Sequence, residues 1–140
     1  MKFYDVRQFI NASPTRIWSI LCDPPALIAA NTGIIRLDGV PSKGAKLKLF
    51  SEVDPKRGFS LNVTEFIVER RMIWSGGMPF GLFKGERCFT LTPTKGGTEF
   101  YMREEFSGLI LPLIWGSMPD LDPSFIKFAN GLKAAAEAES

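Results

Sequence analysis

The stretch 107-SGLILPLIWGSMPDLDPSFIKFANGLKAAAEAE-139 decides how the rest of the chain is read. In its second half Phe125, Phe128, Ala129, Leu132 and Ala136 fall at i, i+3, i+4, i+7 and i+11, one apolar stripe on a helix. Lys127, Lys133 and Glu137 fall away from that stripe. Asp122 before Pro123 predicts the helix start. An aspartate side chain accepts from free first-turn amides, and a proline at the first helical position gives up an N–H that had no partner. In the first half, residues 109–118 are apolar on almost every side, and a helix of that kind is enclosed by protein or faces an internal space. Pro112, Gly116 and Pro119 predict kinks or breaks, hence two helical pieces or one bent helix.

The upstream chain supplies what encloses this helix. Residues 3–11 alternate as a strand. Ser13-Pro14 reads as a cap and first helical position, with Ile17, Trp18, Ile20 and Leu21 on the buried side of a short helix. Asp23-Pro24-Pro25 stops it, and a second short helix over 25–30 ends before Gly33, the two forming a V. Six strand patterns follow, at 34–37, 45–52, 58–68, 72–77, 81–92 and 98–107. They are parted by Asp38-Gly39, Pro41-Ser42-Lys43-Gly44, Asp54-Pro55, Glu69-Arg70 and Lys95-Gly96-Gly97. Short links between neighbours predict an antiparallel meander. The expected architecture is α+β: a seven-stranded curved antiparallel sheet, with two short helices after the first strand, wrapped around a long C-terminal helix. A curved sheet and a straight helix do not fit flush, which leaves either a cavity between them or a solid sandwich. Residues 1–140 read as one domain without repeats or linkers, long enough to bury roughly 68% of the unfolded surface.

Composition removes several function classes. The net charge of +2 is spread without a basic block, so nucleic acid and anionic membranes are not expected partners. The longest apolar run, about eleven residues from Gly108, is too short to cross a bilayer, and the N-terminus lacks the apolar core of a secretion signal. Stable membrane insertion is therefore not expected, and a cytoplasmic location is. Cys22 and Cys88 have no partner spacing and read as two buried thiols. With no histidine, the commonest general base and transition-metal ligand are missing, so neither a triad hydrolase nor a metal or other cofactor is expected.

One ordered set of residues runs nearly the length of the chain. It comprises Ala12-Ser13-Pro14 with Ile17-Trp18 and Asp23, then Gly44 and Leu47, then Val63-Thr64-Glu65 and Trp74. Gly85-Glu86-Arg87-Cys88-Phe89 with Leu91 and Pro93 follows, then Gly97-Thr98 with Glu104, Phe106 and Gly108, and finally Phe125, Phe128, Leu132-Lys133 and Glu137. This set resembles the START-like superfamily, also called SRPBCC or Bet v 1-like, which includes bacterial polyketide cyclase/dehydrase-like and lipid-transport-like members. The resemblance implies a helix-grip fold whose apolar cavity, between sheet and C-terminal helix, takes lipids, polyketides or other flat hydrophobic molecules. Two departures stand out: Ala30-Asn31-Thr32 where relatives often have Trp-Asn-Pro, and Arg87 where many have a histidine. No catalytic set carries over.

Strand alternation sets the expected inward face: Gly85, Arg87, Phe89 and Leu91 on one strand, Phe100, Met102, Glu104 and Phe106 on the next. With Leu91 opposite Thr98, Arg87 would face Met102 and stand one diagonal step from Glu104. An Arg87–Glu104 ion pair is expected in an otherwise apolar interior, either orienting the polar end of a ligand or satisfying only itself. Met78, Phe80, Leu82 and Phe83 sit in the Gly/Pro-rich loop 76–85, either a lid over a cavity mouth or a hairpin plugging the barrel end. The expected ligand-binding residues are Met78, Phe80, Phe83, Arg87, Phe89, Met102, Glu104, Leu111, Trp115 and Phe125, while Trp18 and Trp74 read as structural. The phase of 58–68 is open, because Glu65 falls between Val63 and Ile67 on one face and Phe66 and Val68 occupy the other.

Three functions compete. The first is a carrier or sensor of a small hydrophobic molecule, in a monomer or homodimer. The second is a polyketide cyclase or dehydrase using the same cavity, with Glu104 as base and Arg87 as oxyanion partner; an arginine-paired carboxylate is a weak base, which counts against it. The third is a protein–protein adaptor, which a large exposed apolar patch would favour.

Overall fold

Short turns return each strand onto its predecessor, so the sheet is laid down almost in chain order. The computed structural model describes residues 2–138, and Glu139, which closes the stretch quoted above, lies outside it. Strand β1 (Lys2–Ile10) is followed by helices α1 (Pro14–Leu21) and α2 (Pro24–Ala29). Strands β2 (Ile34–Asp38), β3 (Lys46–Ser51), β4 (Asp54–Ile67), β5 (Arg71–Met78), β6 (Phe83–Thr94) and β7 (Gly97–Ser107) come next. A one-turn helix α3 (Leu111–Ile114), a 3-10 turn (Trp115–Ser117) and the long helix α4 (Asp122–Glu137) complete the chain. The order across the single sheet is β1-β7-β6-β5-β4-β3-β2, every pair antiparallel. This is the seven-stranded helix-grip arrangement that the sequence predicts.

Local chemistry explains the element ends. The Ser13 hydroxyl accepts from the Arg16 amide at 3.1 Å, and Pro14 occupies the first turn of α1, whose Ile17, Trp18, Ile20 and Leu21 are buried. At α4 the expectation needs correcting. Asp122 is already helical, Leu121 holds the cap position, and Asp120 is the aspartate that accepts an amide, from Asp122 at 3.0 Å. The Asp54-Pro55 pair expected to part β3 from β4 also reads differently: it opens β4, and the turn is 52–53.

The stripe on α4 is buried as its spacing dictates, with Phe125, Phe128, Ala129, Leu132 and Ala136 against the sheet. Phe128 stacks on Phe100 with ring centroids 6.2 Å apart and lies 5.8 Å from Phe89. Removing one such side chain from water contributes about 1.5–3 kcal/mol, so this layer is the main attachment of helix to sheet. Gly131 brings α4 onto the end of α2. A β-carbon there would collide with the Ala30 carbonyl oxygen, and neighbouring Asn31 adopts a left-handed φ of 59°.

Two register details depart from expectation. Thr94 pairs with Gly97, so the β6–β7 turn is only Lys95-Gly96, with Gly96 at φ 86°. That tight turn moves every cross-strand pair by two residues, placing Leu91 opposite Phe100, Phe89 opposite Met102, and Arg87 directly opposite Glu104. In β4 a bulge between Val63 and Glu65 settles the open phase: Val63 is buried, while Glu65 bonds Arg71 at 2.7 Å on the outer side.

Candidate functional site

Successive cross-strand partners draw one row across the concave face of the sheet: Val63 on β4, Trp74 on β5, Arg87 on β6, Glu104 on β7 and Tyr4 on β1. Residues directly opposite in an antiparallel pair share a face, so the row sets two charges and two aromatic rings side by side under the start of α4. Arg87 donates from Nε to Oε1 of Glu104 at 2.8 Å, and its Nη2 lies 2.7 Å from the same oxygen. The expected ion pair therefore forms. Its guanidinium also lies over the rings of Phe125 at 5.0 Å and Phe128 at 5.9 Å, where the ring quadrupole attracts a cation. Gly85 keeps the approach to Glu104 clear, since a β-carbon there would stand 3.2 Å from Oε2. With side-chain exposures of 19% and 18%, Arg87 and Glu104 are half-buried and still reached by solvent.

Around the pair stands an aromatic wall. Tyr4 lies 5.7 Å from Trp115, 5.8 Å from Phe125 and 6.2 Å from Phe106; Phe106 in turn lies 5.9 Å from Trp115 and 6.1 Å from Phe83. The structure thus gathers Arg87, Glu104, Phe83, Trp115 and Phe125 at one end of the grip. Phe89 and Met102 lie one row deeper in the fully buried core, and Leu111 is buried as well. Tyr4, Phe106 and Trp74 belong to the same assembly; alternation places Phe106 on the inward face beside Glu104, whereas cross-strand register alone brings Tyr4 and Trp74 there.

Met78 and Phe80 do not cover the site. Phe80, in a 3-10 turn at left-handed φ 61°, is 92% exposed, and Met78 is also exposed. The amide of Leu109 donates to Gly81 O at 3.1 Å and that of Ile110 to Leu82 O at 3.0 Å, which zips the 79–82 turn to the segment after β7. Leu109 and Leu113 point outward on this joint tip, 77% and 83% exposed. This corrects the expectation that 109–118 is enclosed: α3 is a single turn, too short to bury every side of an all-apolar segment.

Beneath the helix, where the sequence leaves either a cavity or a solid sandwich, large side chains pack closely. Trp74, Phe89, Phe100 and Phe128 interlock there with centroids 4.8–6.5 Å apart. Two surface hollows lie outside the grip. One of about 250 Å³ lies between Ser13, Arg16 and Glu137, and one of about 690 Å³ between Asn31, Ile126 and Asn130. Hydrogen bonds from Lys133 and then from the Asn11 amide hold the Glu137 carboxyl below the usual carboxylate range, and burial pushes the Cys22 thiol up to about 11. Among the described residues no cluster of three acidic or thiol groups could hold a metal, and no helix is long and apolar enough to cross a membrane.

No protein-family model and no curated protein matches the chain. Solved structures do share its fold. A Mesorhizobium loti protein aligns with TM-score 0.77 and 17% identity over 99% of both chains. The Aha1 dimer of Colwellia psychrerythraea aligns at 0.75 and 21%, over 99% of this chain and 98% of that one. Truncated norcoclaurine synthase of Thalictrum flavum aligns at 0.70 and 13%, over 99% and 95%. At these identities the likeness is one of fold, a curled antiparallel sheet with a C-terminal helix.

Proposed function

We propose that the protein binds a small, mainly apolar molecule at the open end of the grip, as a carrier or sensor, with the molecule's polar end against Arg87 and Glu104. The observation that carries this reading is the half-buried ion pair set in an aromatic wall. Burying two charges costs solvation that their mutual attraction does not always return, and apolar side chains of similar size would pack there as well. A planar guanidinium carries five N–H donors, more than one carboxylate can take up, which suits a ligand headgroup. The neighbouring fold of norcoclaurine synthase agrees with a binding role for such a sheet.

Native mass spectrometry of the purified protein, together with titration by 1-anilinonaphthalene-8-sulfonate, tests the proposal. A co-purified hydrophobic compound and a probe affinity that falls in Arg87→Met are the expected results. An Arg87→Met protein that is less stable yet binds the probe unchanged reduces the pair to a structural one and overturns the reading.

The exposed tip favours a second reading, an adaptor that meets another protein through Phe80, Leu109 and Leu113. One of the structural neighbours is itself a dimer. Self-association detected by sedimentation and abolished in Leu113→Asp supports it, and a monomer at all concentrations counts against a homodimer.

A further inference from the structure

The sheet has two outer edges, and they are finished differently. Strand β2 is five residues long, carries a bulge between Ile34 and Arg36 and holds an Arg36–Asp38 ion pair, all devices that keep a strand edge from pairing. Strand β1 runs nine residues in unbroken register with β7, with neither proline nor bulge, and among the described residues only β7 pairs with it. We propose that the outer edge of β1 pairs antiparallel with β1 of a second copy of this chain, joining the two sheets across a two-fold axis at Val6.

The backbone of β1 is set for this pairing. A β-carbon on Gly97 of β7 would collide with the Ile10 carbonyl oxygen, so that carbonyl points toward β7. The Phe9 carbonyl points the other way, where Lys133 reaches it at 3.0 Å. Successive residues face opposite sides, so Phe3, Asp5, Arg7 and Phe9 turn their amides and carbonyls to the free edge. Pairing about Val6 sets Phe3 opposite Phe9 of the second copy and Asp5 opposite its Arg7, each as a hydrogen-bonded pair. The Phe9 carbonyl can keep Lys133 as well, because a carbonyl oxygen has two lone pairs.

The side chains select the register. Phe3 and Phe9 are 48% and 47% exposed, and the exposed Asp5 and Arg7 lie between them on the same face. An axis at Asp5 or at Arg7 would set like charges face to face. The axis at Val6 opposes unlike charges and sets ring against ring, each twice by symmetry. Within the chain Asp5 accepts from Tyr101 at 2.8 Å and Arg7 pairs with Glu99, exposed contacts that a second partner can share. The proposal is independent of the carrier reading and uses a surface other than the exposed tip.

Sedimentation of wild type, Asp5→Arg and Arg7→Asp tests it. Wild type should dimerise as concentration rises, and each variant alone should bind itself about tenfold more weakly or worse, since symmetry counts every like-charge contact twice. An equal mixture of the two variants opposes unlike charges at both contacts and should recover the dimer, while Leu113→Asp should leave the wild-type dimer unchanged. If a variant does not fold, hydrogen exchange on wild type decides: the amides of Phe3, Asp5, Arg7 and Phe9 should gain protection with concentration. A dimer indifferent to both charge reversals, a mixture that stays monomeric, a dimer lost in Leu113→Asp, or exchange at those amides that ignores concentration overturns the proposal. A wild-type monomer at every concentration also overturns it and leaves the edge to a strand from another protein.

Discussion

The two ends of one sheet are held to the same helix by different means. At the end where β1 finishes, polar ties surround the packed core. Lys133 Nζ donates to Phe9 O at 3.0 Å, the Asn11 amide to Glu137 at 2.7 Å, Arg16 to Ala135 O at 3.2 Å and Thr98 Oγ1 to Ala12 O at 2.8 Å. Beneath them Ile10, Leu91, Phe100 and Leu132 are fully buried. At the other end two backbone hydrogen bonds join the loops, a charged pair stays in reach of water, and three large apolar side chains face outward. The difference teaches that the layer of the grip which fixes the fold is separate from the layer proposed to meet a guest, so the second should tolerate change without loss of the first.

The sharpest way to break this contrast is to truncate a leucine at each end. Leu132→Ala should cost about 3 kcal/mol by urea denaturation, since it removes buried methyls and leaves a void. Leu113→Ala should stay within about 0.5 kcal/mol, as exposed positions do. Equal losses would mean that the tip is covered in solution. A smaller effect is expected at the boundary between the ends. Arg87→Met leaves the Glu104 carboxylate half-buried without its cation and should cost about 2 kcal/mol, part of which Arg87→Met/Glu104→Gln restores. Full additivity of the two substitutions would deny that the groups are coupled.

The smallest effect is acid-dependent. Because the Glu137 carboxyl is held low in the folded chain, its contribution is complete above the ordinary carboxylate range and disappears as pH falls through the lowered folded value. Wild type should therefore exceed Glu137→Gln in Tm at neutral pH, with the gap closing in strong acid. A gap independent of pH would exclude the carboxylate as its source.

Much of the fold was legible because its signals are local. The α4 stripe, the Ser13 cap of α1 and the turn residues between strands each depend on a few neighbouring residues. The site was less legible because it depends on register. Setting Leu91 opposite Thr98, with Gly97 in the turn, displaced the β6–β7 pairs by two and turned a direct Arg87–Glu104 pair into a diagonal one, while Trp74 and Tyr4 join the row through the β5–β6 and β1–β7 registers, which no local signal sets. The Val63–Glu65 bulge concealed the β4 phase in the same way. The outward Leu109 and Leu113 were illegible for another reason: a segment apolar on every side carries no periodicity from which to choose an inner face.

Gly131 acts as the hinge-side spacer of the whole assembly, since it lets the long helix sit flush against the carbonyl of Ala30. A single methyl added there would act as a shim, forcing the rod and the end of the second short helix apart where the two backbones now touch.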